Sequence, residues 1–391
     1  MKKIALSTLS LALLGAAGAA HAQSSVTLYG VIDTSLTYVH NASGNQNLWA
    51  LGNSGGGDLS GTRWGLKGQE DLGGGLAAIF QLENGFDPSN GSMSQGNRLF
   101  GRQAFVGLTS QTYGTVTLGR QYDPVVDLVQ AITADNYFGS PFATPGDVDN
   151  YDNSSRTNNA IKYLSPTYAG LQFEAMYAFG GVAGSTGSGQ TWSLAAAYNN
   201  GPLGLAAGYF RADNTNTLSA TTGLRAGWDT AATSGGTFDS NINAFYGSAK
   251  SIGIARLAAQ YTVGPFTMGA SYSNAQYKAD GFSTFGSTEK YNVGQGFFNY
   301  QATPALLLGL GYSYTKASGD TSATYHQASL GADYTLSKRT DVYLVGAYQH
   351  ARGQIRNADG TIGSAQASIG SYGYNGTSSQ ELVALGLRHK F

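Results

Sequence analysis

Beyond residue 23 the chain alternates apolar and polar residues with a period of two, in runs of about ten residues. In residues 171–179, Leu171, Phe173, Ala175, Tyr177 and Phe179 share one face and Gln172 and Glu174 lie on the other. Phe266, Met268, Ala270 and Tyr272 stand against Thr267, Gly269, Ser271 and Ser273, and Leu306, Leu308, Leu310, Tyr312 and Tyr314 against Gly309, Gly311 and Ser313. Successive side chains of a strand point to opposite faces, so these runs predict strands with one apolar and one small or polar face. Their length is what a tilted strand needs to cross a bilayer, and the apolar face tends to end in Tyr or Phe, as at a headgroup boundary.

A soluble sandwich also alternates, and the connections separate the two cases. Tight turns are expected at 71–75, 110–114, 165–170, 199–202, 264–265, 302–304 and 336–340. Between them lie mostly longer connections, about 40–58, 87–97, 123–155, 181–189, 213–250, 279–288, 317–321 and 351–379. Strict alternation of short and long connections is the plan of a transmembrane barrel. All eight prolines, at 88, 124, 141, 145, 166, 202, 265 and 304, fall in connections or at strand starts, so none interrupts backbone pairing in lipid.

The strands so predicted are 25–39, 59–71, 74–87, 97–110, 113–122, 156–166, 169–181, 189–200, 203–213, 250–263, 265–278, 287–301, 304–316, 321–336, 339–351 and 380–391. Asn241 to Phe245 rivals the 250–263 strand. The count is about sixteen, an even number that puts both chain ends on one side, and the fold class is all-β: an antiparallel transmembrane barrel. Such a ring is roughly 30 Å across, too wide for side chains to fill. It must hold water, a plug or an inward-folded loop. The connection 123–155 is the candidate for the last, with 213–250 a second one.

Composition narrows the class further. Only 12% of residues are charged, Gly reaches 56 and Tyr 25, and there is no cysteine, which excludes disulfides and thiolate chemistry. A formal net charge of -1 offers nothing to nucleic acid. Lys2 and Lys3, the apolar stretch to Ala20 and the small-x-small site Ala20-His21-Ala22 read as an export signal over residues 1–22, leaving a barrel domain of 23–391 that starts at Gln23.

Several segments resemble the general trimeric porins of Gram-negative β-proteobacteria. Ser25-Val26-Thr27-Leu28-Tyr29-Gly30-Val31-Ile32-Asp33 looks like their first strand, and Arg63-Trp64-Gly65-Leu66-Lys67-Gly68 with Glu70-Asp71-Leu72-Gly73 like their second strand and first turn. Residues 104–108, Gly114 to Arg120, Arg156 through Ser165-Pro166, and the terminal Phe391 extend the resemblance over the mature chain. It implies a sixteen-stranded homotrimer in the outer membrane, surrounded by lipid and lipopolysaccharide, whose third external loop folds inside as the constriction. It also implies that Phe391 is an assembly signal read by the barrel-assembly machinery. The function implied is passive diffusion of small hydrophilic solutes and ions, with no cofactor and no bond chemistry.

Charges placed in a narrow lumen decide selectivity. Arg63, Arg102 and Arg156 fall in or at the ends of the second, fourth and sixth strands, match the family's constriction arginines by position, and are expected to favour anions. Lys67 shares the face of Arg63, and Arg120 lies at a strand end. Asp123, Asp127, Asp135, Asp147, Asp149 and Asp152 of the third long connection are the candidate acidic side, opposing the arginines across the pore. They also suit ordinary loop capping, and Asp147, Asp149 and Asp152 lack the spacing of an EF-hand. Two alternatives stay open: a substrate-selective channel with an aromatic lumen track, and a barrel hydrolase pairing a serine with His40, His326, His350 or His389.

Overall fold

The structure, a computed structural model, describes residues 25–52, 59–215, 218–225, 227–228, 233–235 and 240–391. The expected export signal, residues 1–22, lies outside them.

Among the described residues nineteen strands make one antiparallel sheet that closes on itself. Three of them, Gln46–Leu51, Thr233–Gly235 and Ile362–Ser364, are short additions within long connections, which leaves sixteen in the wall. These are β1 (Ser25–Ser43), β2 (Arg63–Gly73), β3 (Leu76–Gly85), β4 (Gln103–Ser110), β5 (Gly114–Gln121), β6 (Ser155–Leu164), β7 (Leu171–Ala178) and β8 (Thr191–Asn200). They continue as β9 (Leu203–Asp213), β10 (Ser251–Val263), β11 (Phe266–Lys278), β12 (Glu289–Thr303), β13 (Leu306–Ser318), β14 (Ser322–Ser337), β15 (Thr340–Arg356) and β16 (Ser379–Lys390). Neighbours in sequence are neighbours in the sheet, and β1 closes the ring. Its first half pairs with β2, from Ser25↔Gln69 to Val31↔Arg63. Its second half pairs with β16, from Val31↔Lys390 to His40↔Glu381. Closure leaves no edge with unpaired amides, the condition for a sheet to sit in hydrocarbon.

The period-two pattern sorts as expected. Leu171, Phe173, Tyr177, Met268, Tyr272, Leu308, Leu310 and Tyr312 are exposed on the outside of the ring, whereas Glu174, Ser273 and Ser313 are buried on the inside. Strand boundaries agree with the sequence reading to within a few residues at most ends. The largest difference is at residues 97–102, read as the start of a strand. There Asn97 takes a left-handed conformation (φ 60°). The following carbonyls of Arg98 and Leu99 accept hydrogen bonds from the Asn84 side-chain amide, and Phe100 packs against Trp64. Pairing with β3 therefore begins only at Gln103. The rival strand at Asn241 to Phe245 is not one either: Ala244–Ser248 is a short 3-10 helix.

Candidate functional site

The basic residues come together because β2, β4, β5 and β6 are close neighbours in the ring. Arg102 stands just before β4; its Nε donates to Glu83 Oε1 at 2.8 Å and its Nη2 to the Tyr122 hydroxyl at 2.8 Å. Arg63, at the start of β2, places Nε 3.6 Å from the other oxygen of Glu83. Arg156, at the start of β6, lies over the Tyr122 ring at 5.1 Å and donates to Ser154 O at 2.8 Å. Three guanidinium groups thus share one buried carboxylate and one phenol. Arg120 is drawn aside to Gly101 O and Asn158. Lys67 is exposed on the same wall, 5.2 Å from the centre of the Tyr29 ring, and Tyr29 donates to Glu83.

Glu83 and Tyr122 were not singled out from the sequence. Glu83 was legible in principle: a carboxylate in the alternating run Ile79-Phe80-Gln81-Leu82-Glu83 has to face away from lipid. Tyr122 carried no such signal, since it follows β5 at the start of a long connection. Lys162 on β6 was missed as well; it pairs with Asp127, with Glu174 at 3.1 Å, and with the Tyr122 carbonyl at 3.1 Å.

The six aspartates make their bonds to groups other than the three arginines. Among the described residues no ion pair joins any of them to Arg63, Arg102 or Arg156. Asp127 meets Lys162. Asp123 accepts the Val125 amide at 2.8 Å, and Asp135 accepts Thr133 Oγ1 at 2.6 Å and a Gln130 amide. Asp147 accepts the Asp152 amide at 2.7 Å and bonds of Ser154. Asp149 faces Arg256 and Ser273 on β10 and β11, and Asp152 accepts from Ser371. Asp123, Asp135, Asp147 and Asp149 are buried, and Asp127 and Asp152 are partly exposed. Asp147, Asp149 and Asp152 turn to separate partners, so their carboxylates do not converge on a common point.

From Tyr137 to Tyr151 the 123–155 connection bonds to β10, β11, β12 and β14, on the side of the ring away from the arginines. Tyr137 donates to Gln260 at 2.6 Å, Tyr277 to Val148 O at 2.6 Å, and Tyr151 to Gln295. Gln327 donates to the carbonyls of Pro141 and Ala143 at 3.0 and 2.9 Å. Ile242 of the 213–250 connection joins the same apolar cluster as Val125, Val129 and Val148, and its carbonyl accepts from Tyr291. Tyr277, Tyr291, Tyr325 and Tyr343 are consequently buried rather than lining an open aromatic track. The histidines are likewise engaged elsewhere: His40 with Asn47, His326 with Tyr312, His350 with Arg352 and His389 with Thr340.

Burial pushes the Asp123 carboxyl up to about 6 and that of Asp135 up to about 7. Both values lie above those of an unfolded aspartate, so the folded connection holds these protons more tightly. The resulting stabilisation is complete below the unfolded value, near 3.8, and is lost as pH rises through about 6 and about 7. Hydrogen exchange of residues 122–154 is therefore expected to be slower relative to the strands at pH 5 than at pH 8, once corrected for the intrinsic pH dependence of exchange; equal protection at both would refute it.

The chain matches a family profile described as Gram-negative porin over residues 7–354. It is 31% identical to an outer membrane porin protein of Bordetella pertussis and 32% identical to outer membrane porin protein 32 of Delftia acidovorans, each alignment covering 100% of both chains. Among solved structures, an anion-selective porin from Comamonas acidovorans superposes with a TM-score of 0.70 at 25% identity, covering 94% of this chain and 100% of that one.

Proposed function

The chain belongs to the Gram-negative porin family, non-catalytic outer-membrane channels for passive diffusion of small solutes, and from that premise we propose that its pore prefers anions. The observation that carries this is the charge of one wall: Arg63 and Arg102 share a single carboxylate, Glu83, Arg156 stands beside them on Tyr122, and four of the six aspartates are buried against other partners. A fixed positive excess in a narrow aqueous passage raises the local concentration of anions and lowers that of cations. The anion-selective relative from Comamonas acidovorans agrees in sign. In a planar bilayer under a salt gradient the reversal potential should take the sign of anion preference, and a cation-preferring potential would overturn the reading.

The narrowing itself is assigned to residues 123–155 as an inward-folded third external loop. Its support is the set of bonds from Tyr137, Pro141, Val148 and Tyr151 to inward residues of β10, β11, β12 and β14. A homotrimer is supported by the outer surface. Exposed aromatics such as Tyr177, Trp192, Tyr272, Tyr300, Tyr312 and Tyr348 ring the barrel from β7 to β15, but the large apolar residues exposed within β16, β1, β4 and β5 are aliphatic, among them Leu385, Leu28, Ile32, Val106 and Leu118. Aromatics settle at headgroups, and a sector without them suits a face covered by protein. Export with cleavage before Gln23 completes the reading. Intact mass of outer-membrane material should begin at Gln23; retention of Met1 to Ala22 would refute that step.

A further inference from the structure

We propose that Phe138 and Phe142 are positioning residues whose rings, seated in a glycine window of the barrel wall, fix how far the 123–155 segment stands from that wall and thereby set the bore. The inference rests on reading this segment as the constriction.

Phe138 and Phe142 are fully buried and stacked, with ring centres 5.0 Å apart. Beneath them lie Gly309 on β13 and Gly331 on β14, which are direct partners in the sheet register. A methyl group at either glycine would overlap the Phe138 ring, and one at Gly311 would come within 2.7 Å of Phe142. None of the three glycines adopts a positive φ, so the backbone does not ask for glycine here. Packing does.

Adjacent polar bonds define where along the wall the segment sits: Ser329 Oγ donates to Pro141 O at 2.6 Å, and Gln327 to Pro141 and Ala143. Those side chains are jointed and tolerate some change in spacing. Ring against bare backbone is a hard contact, because close-packed atoms resist compression. The segment leaves the wall at β5 and returns at β6, beside the arginines, so any thickness added under Phe138 moves it toward the passage.

The test is single-channel conductance combined with heat unfolding of the folded porin, in Gly331→Ala, Phe138→Ala and the double variant. Gly331→Ala should lower conductance by roughly 1.5-fold or more, since flow through a constriction follows its cross-section. Phe138→Ala in that background should restore most of the loss, and the melting shifts of the two substitutions should be non-additive, as for residues in contact. Additive melting overturns the proposal on its own ground. Non-additive melting with unchanged conductance overturns it through the constriction reading. Should Gly331→Ala fail to fold, Phe138→Leu takes its place: the slimmer side chain lets the segment settle on the wall and conductance should rise, and an unchanged value overturns the proposal.

Discussion

The Arg63→Ser/Arg102→Ser double variant is expected to lose the anion preference of the parent and to shift its zero-current potential in a salt gradient toward cations. Two positive charges leave the wall, and their shared partner stays. Glu83, held in the parent by Arg102 at 2.8 Å and Arg63 at 3.6 Å, keeps only the Tyr29 hydroxyl at 2.9 Å. A fixed carboxylate that was compensated then acts on the permeating ions. At a few ångströms in a wet lumen each unit charge is worth about 1 kcal/mol, so the permeability ratio should move by roughly 5-fold per charge removed. High salt should shrink the shift, because the Debye length falls from about 10 Å at 0.1 M to about 3 Å at 1 M.

Glu83→Gln should act in the opposite direction and strengthen the anion preference, which separates a charge effect from a general disturbance of the wall. A folded double variant with the parent's reversal potential would show that neither arginine belongs to the selectivity region, and the placement of the constriction would be wrong.

Deleting Phe391 is expected to lower the amount of assembled barrel several-fold while leaving the conductance of the barrels that do form unchanged. The terminal residue provides the last rung of closure: the Gly30 amide donates to Phe391 O and the Phe391 amide to Gly30 O, each at 3.0 Å. Its ring covers the outer face of Gly30, which has no side chain of its own to meet lipid. Ten further residue pairs between β1 and β16, from Val31↔Lys390 to His40↔Glu381, remain in the deletion. Losing two of many sheet bonds costs about 1 kcal/mol each and does not open a closed ring. A large fall in assembly with little change in the melting temperature of the assembled fraction would therefore point to recognition of the end during insertion. Undiminished assembly counts against it, and a parallel fall in melting temperature would make Phe391 a closure residue only.

Two regions mark the limits of what the sequence alone conveys. Within the strands the reading was nearly complete, down to Leu203–Asp213, whose bounds coincide with those expected. Failure came where a local signal competed with a contact elsewhere. Leu99-Phe100 are apolar enough to continue a strand, but Phe100 is held by Trp64 and the backbone by Asn84. The partners of the six aspartates were likewise not legible in the sequence. Aspartate in a loop is compatible with facing the lumen, capping a turn or pairing across it, and the residue that decides lies far away: Arg256 is 107 residues beyond Asp149, and Ser371 is 219 beyond Asp152.

The sequence by itself determined the barrel: its sixteen strands, their inward and outward faces, the alternation of short and long connections and the wall that carries Arg63, Arg102 and Arg156. Each of these follows from local periodicity under one external condition, that hydrocarbon accepts only apolar side chains and fully paired backbone. Tertiary structure alone decided which charges meet. Periodicity says that a residue points inward; it does not say at what height along the barrel, nor which side chain of a distant strand or connection waits there. Glu83 between two arginines, Tyr122 beneath a third, and aspartates turned to Arg256, Ser371 and Lys162 arise only when the ring closes and the long connections find the wall, because electrostatic pairing depends on distances of a few ångströms that no sequence spacing encodes.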